Sequence, residues 1–110
     1  MSGTLDGRRL FSEATWRLAT HNLSPVPSHP VGVFWWLHRS SDRPRRMSEG
    51  AFRHAGHTAQ SVWIDPKRDV YTIVMTNRGH PRYEPTRTPR GRRSVEARAE
   101  IADAMIAPGH

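Results

Sequence analysis

The chain has 110 residues, 35% of them apolar, with nine prolines, eight glycines and a formal charge of +7. That length allows one domain with a modest core, and the absence of cysteine removes disulfides and thiolate metal sites from consideration. The longest apolar run, residues 31–37, is too short to span a bilayer, and residues 1–9 contain no apolar export segment. Neither a membrane segment nor a signal peptide is therefore expected, and the sequence as written reads as cytoplasmic.

Lys67 is the one lysine; every other basic side chain is arginine, and these run from Arg8 to Arg98. The dense groups, 43–46 and 87–93, fall in proline-containing stretches that read as loops. No recognition helix, zinc-ligand spacing or aromatic RNA-binding signature accompanies them. The pattern describes solvated surface and argues against a nucleic-acid binder.

In chain order, residues 3–10 form a turn-bearing entry, with Asp6-Gly7 as its turn dipeptide. Ser12 stands where a helix cap belongs, and Ala14, Trp16, Leu18 and Ala19 give residues 13–20 one packed face. Asn22, Pro25 and Pro27 stop that helix. The Asn22-Leu23-Ser24 sequon, followed by Pro25, reads as chance. Residues 31–38, rich in β-branched and aromatic side chains, read as a strand covered on both faces. Residues 39–50 read as a surface loop of variable shape. Strand pieces follow at 51–56 and 61–64, then a tight turn at 65–69 and a buried strand at 70–76, together an antiparallel hairpin. Residues 77–93 are a connection. Ser94 then caps a helix running to about 107, its apolar face built from Val95, Ala99, Ala102, Met105 and Ile106, with Pro108 and Gly109 closing it. The expected fold is α+β: one domain over 1–110, an antiparallel sheet of about three strands (31–38, 51–64, 70–76) with a C-terminal helix packed on it.

Phe52-Arg53-His54-Ala55-Gly56-His57-Thr58, followed by Ser61-Val62-Trp63-Ile64-Asp65-Pro66, resembles the F-G-H-T-G-F-T-G-T-S-x-W-I-D-P stretch of β-lactamase-related serine hydrolases. The likeness continues through Lys67-Arg68-Asp69-Val70-Tyr71 and Thr76-Asn77-Arg78-Gly79-His80-Pro81, like the family's T-N-R-x-H-P ending. Upstream, residues 3–15 are similar to its G-x-L-x-G-x-R-L-L-S-x-x-T approach. The resemblance implies the C-terminal portion of a β-lactamase or penicillin-binding-protein-like domain of the class C type.

In such a domain a serine and lysine of S-x-x-K form the acyl-enzyme, and Y-x-N assists proton transfer. Neither pattern occurs here. The third motif, K-T-G or H-T-G, lines a strand edge beside the nucleophile. By the match His54 is its first, catalytic residue, Ala55 and Gly56 follow as substrate-binding positions, and the amide of His57 is the oxyanion donor. Ala55 lacks the hydroxyl that would bind a substrate carboxylate. Arg53 and Ala59 replace glycines, which suggests relaxed demand on the backbone there.

The resemblance thus implies a serine hydrolase fragment that is inactive alone, with no cofactor. Alternatives are a non-catalytic interaction module or a hydrolase half completed by a separately encoded N-terminal portion. In the whole domain a helical region from earlier sequence covers the sheet, so one apolar face should lie open, favouring self-association or pairing. His54 and His57 have H-x-x-H spacing, but on a strand this offset points them to opposite faces, which argues against a metal site. Trp35, Trp36 and Trp63 read as core rather than a stacking surface. Among serines tested as nucleophiles, Ser12 and Ser94 read as caps and Ser61 as a strand position, none with a base in view.

Overall fold

The structure, a computed structural model, describes residues 3–37 and 43–106. It opens with a two-stranded hairpin, β1 (Thr4–Leu5) and β2 (Arg8–Arg9), whose turn residues Asp6 and Gly7 both have positive φ, 49° and 75°. That is the geometry an Asp-Gly pair adopts most readily between antiparallel strands. Helix α1 (Glu13–Thr20) follows, with the Ser12 side chain accepting from the Thr15 N–H at 3.1 Å. Asn22 ties the loop to its far end, its Oδ1 accepting from the N–H groups of Ser24 and Val31.

Four antiparallel strands form the main sheet in the order β3 (Trp36–Leu37), β4 (Phe52–Ala55), β5 (Ser61–Asp65), β6 (Val70–Val74). Helix α2 (Pro89–Met105) crosses one face and packs on β6. The α+β architecture with a C-terminal helix on an antiparallel sheet is the expected one. The core is small, Met47, Ala51, Trp63 and Ile106 with Val70 packed against them, and it lies on the helix side.

Several local expectations are corrected. The strand expected at 31–38 shrinks to β3 plus a single bridge from Val31 to Trp36, and it is not covered on both faces: Phe34 is 66% exposed at φ +72°. A chain reversal between Val31 and Trp36 replaces the extended run; His38 lies outside the described residues. The 39–50 segment is no mere surface loop, since Pro44 and Met47 are buried, and the Arg46 guanidinium donates to the carbonyls of Asp103 and Ile106 at 3.3 and 2.7 Å. It caps the C-terminal end of α2, where cations are favoured. Residues 39–42 of that segment are outside the description.

Helix α2 begins at Pro89, five residues before the expected Ser94, because Thr88 caps it and a proline fits the first turn. Ser94 lies inside the helix and donates to the Gly91 carbonyl at 2.8 Å. Gly91 is obligatory there: a Cβ would meet the Pro85 carbonyl oxygen at 1.9 Å. The buried face is Gly91, Arg98 and Ala102, leading to Ile106, while Met105 is exposed, so the helix sits rotated from its apolar pattern. The expected end near 107 and its Pro108-Gly109 stop fall outside the described residues.

Strand β6 is half open instead of buried. Thr72 and Val74 face α2, whereas Tyr71, 68% exposed, and Ile73 face solvent, followed by Met75 at 74%. An apolar patch on the face opposite α2 is the uncovered surface that the resemblance implies.

Candidate functional site

Strand β4 carries the motif, and alternation divides it between two faces. Phe52 and His54 point away from α2. Phe52 is buried among Trp16 and Trp35, with ring centroids 5.9 and 5.1 Å away, and Phe34 lies flat on His54 at 4.3 Å and 4°. The strained φ of Phe34 delivers its ring to that position. Arg53 and Ala55 point toward α2. Arg53 is only 9% exposed, and its guanidinium lies 4.7 Å from the Trp36 ring and 5.4 Å from the Trp63 ring. An arginine where the family pattern has glycine thus fills space between two indoles through cation–π contact.

The edge of β4 is the informative feature. Gly56 donates to the Gln60 carbonyl at 2.9 Å, so Gly56, His54 and Phe52 direct their backbone groups toward β5, and Arg53, Ala55 and His57 direct theirs outward. β3 covers that outer edge only at Phe52 and Arg53. From Ala55 to the His57 N–H the edge has no strand partner among the described residues. A Cβ at Gly56 would meet Gln60 Oε1 at 2.6 Å, a contact that a shift of the Gln60 side chain relieves. The His57 ring stacks on Tyr83 at 4.7 Å and 5°, and its carbonyl accepts from Arg78 Nε at 3.0 Å.

Ala55, Gly56 and His57 line a cleft of about 780 Å3 between the sheet edge and α2. His54 does not line it; the ring sits on the opposite face beneath Phe34. The structure therefore gathers three of the four expected site residues and separates the fourth. Arg78, Arg92 and Arg98 also line the cleft, and sequence reasoning passed over them. The signal for Arg78 was its place in the T-N-R-x-H-P stretch. For Arg92 none was available while residues 77–93 read as a connection.

The serines fall as follows. Ser12 caps α1, Ser94 back-bonds within α2, and Ser61 is buried on β5 with its Oγ lacking a hydrogen bond. Trp63 and Trp35 are packed as expected of core residues, but Trp36 is partly open and lines the cleft. Among the described residues no group of three or more His, Cys, Asp and Glu side chains is placed to hold a metal, and no helix is long and apolar enough to cross a membrane.

At Ala59 the expected relaxation of the backbone is overturned. Its φ is +77°, the left-handed region that favours glycine. The turn is held by the Ala59 N–H on the Gly56 carbonyl at 3.0 Å, and its own carbonyl accepts from the Thr76 hydroxyl at 2.7 Å and Arg98 Nη1 at 3.1 Å. The geometry is kept and the alanine is strained by about 1–2 kcal/mol. Losing the buried methyl offsets about 0.8 kcal/mol. Ala59→Gly is expected to raise the thermal midpoint by roughly 2–4 °C; a fall would mean that methyl packing outweighs backbone strain.

The chain thus presents an antiparallel sheet backed by a C-terminal helix, with β4 lacking a strand partner along its outer edge beyond Arg53. A model of the family described as Beta-lactamase matches residues 2–96, and the chain belongs to that family. No curated protein and no solved structure matches it.

Proposed function

We propose that this chain is the C-terminal, substrate-side portion of a class C-type, penicillin-binding-protein-like serine hydrolase domain, spanning residues 1–110 and inactive by itself. The observation that carries the reading is the open edge of β4, where the N–H groups of Ala55 and His57 point away from β5. An acyl substrate laid along that edge would place its carbonyl oxygen at the His57 amide. The nucleophile comes from a polypeptide segment with S-x-x-K and Y-x-N, in the same chain or a separate one. Its serine oxygen bonds to the acyl carbon, its proton passes to the lysine and tyrosine side, and the leaving group departs protonated. Water then releases the acid and restores the serine. His54, held by Phe34, is the motif's proton-network residue.

A second reading, a non-catalytic module that binds another polypeptide, is favoured by the exposed Tyr71, Ile73 and Met75. These share a face beside β6, the terminal strand of the sheet.

The test is hydrolysis of a chromogenic β-lactam and a p-nitrophenyl ester by the purified 110-residue chain, with a serine-acylating probe read by intact mass. No turnover and no adduct are expected. Adding a polypeptide that carries S-x-x-K and Y-x-N should produce labelling on the added serine. An adduct on a serine of this chain would sink the proposal.

A further inference from the structure

We infer that the cleft between β4 and α2 is a binding site for a small organic polyanion, a molecule carrying two or more phosphate or carboxylate groups. Among the described residues its walls hold four arginines, Arg53, Arg78, Arg92 and Arg98, against one carboxylate, Glu96. These cations come from three separate parts of the chain, so the tertiary fold has collected them. Like charges gathered in a concave site raise its potential well above that of the same charges spread over a surface. Two of the arginines, Arg53 and Arg98, are more than nine-tenths buried. Neither Arg78 nor Arg92 forms an ion pair among the described residues. Guanidinium groups present planar, paired donors that match phosphate and carboxylate oxygens.

The size of the cleft selects among anions. About 780 Å3 lies within the range of sites for organic ligands and far exceeds what one inorganic ion fills. Trp36 supplies an apolar wall for the body of such a molecule. Several arginines are already positioned before any ligand arrives: Arg53 between two indoles, Arg98 on the carbonyls of Ala59 and Gln60, and Arg78 on the His57 carbonyl. That reduces the ordering cost of binding. The inference does not rest on the hydrolase reading, although Ala55, Gly56 and His57 border both.

The test is calorimetric titration of the intact chain with pyrophosphate and with citrate at constant ionic strength, together with Arg92→Gln, Arg78→Gln and Arg93→Gln. Arg93 neighbours Arg92 on α2 but does not line the cleft, so its replacement removes the same charge from a different surface. Saturable binding of either probe is expected. It should be weakened about tenfold by Arg92→Gln or Arg78→Gln, the worth of one charge-assisted hydrogen bond. Arg93→Gln should leave it unchanged. No saturable binding by the unaltered chain would overturn the site. Equal weakening by Arg92→Gln and Arg93→Gln would overturn it too, assigning the effect to net charge. So would duplex DNA displacing both probes with no difference among the variants. Acyl-probe labelling is read separately, so failure of the hydrolase proposal and failure of this one are distinguishable.

Discussion

Replacing Trp63 with alanine is expected to cost about 4 kcal/mol, most of the stability of so small a domain. Trp63 is the largest fully buried side chain, set at the centre of β5 between the neighbouring strands. The core cluster it joins contains just three other buried residues, Met47, Ala51 and Ile106. Small neighbours such as Ala51 cannot expand into an indole-sized void, so the cavity term adds to the lost transfer energy. The substitution also strips one indole from the Arg53 guanidinium. A domain is stable by about 5–15 kcal/mol in total, and a core this thin belongs at the low end. Urea unfolding followed by far-ultraviolet circular dichroism would measure it. A loss under about 1.5 kcal/mol would show that the core is organised elsewhere.

Asp65→Ala is the second large loss, about 3 kcal/mol, through hydrogen bonds rather than apolar packing. Asp65 is 0% exposed, and its carboxylate accepts from the Ser48 N–H at 2.6 Å and the Ser48 hydroxyl at 2.5 Å. It also accepts from the N–H groups of Lys67 and Arg68 at 3.1 and 3.3 Å, which shapes the β5–β6 turn. Alanine would leave those donors without their acceptor.

The same carboxylate makes stability depend on pH. Burial works to raise its pKa, but the Ser48, Arg68 and Lys67 donors prevail and hold it below the ordinary 3.8. A depressed folded-state value means that the contribution is complete above the unfolded value and is lost as pH falls through the folded one. The stability gap between the parent chain and Asp65→Ala should therefore be full at pH 7 and shrink below about pH 4. A gap that stays constant down to pH 2.5 would show that ionisation of Asp65 is not what the donors stabilise.

The uncovered face of the sheet and the missing motifs lead to one physical picture. Tyr71, Ile73 and Met75 are large side chains left in water on the face opposite α2. An exposed apolar patch of this kind is a surface that other structure can cover. His54 points into the same face, with the Phe34 ring stacked over it at 4.3 Å and the Trp36 ring tilted beside it at 5.5 Å.

What the residues determined by themselves was local or encoded in a motif. Asp6-Gly7 made its turn and Ser12 its cap, because both depend on dihedrals and hydrogen bonds within a few positions. The alternation in 61–65 produced β5, and the Phe52-to-Pro66 stretch carried the family. Tertiary structure decided the rest. Helix α2 could start at Pro89 only because Gly91 lets its first turn meet the Pro85 backbone, a contact no helix propensity encodes. Arg98 took an inward position because carbonyls of the 59–60 turn wait there, 38 and 39 residues away in sequence. Arg53 is buried because strand register sets Trp36 and Trp63 on either side of it. The cleft exists only once β4, residue 78 and α2 are brought together. Hydrophobic period selects an element and its face, whereas the burial of a charged side chain depends on partners that only the assembled fold supplies.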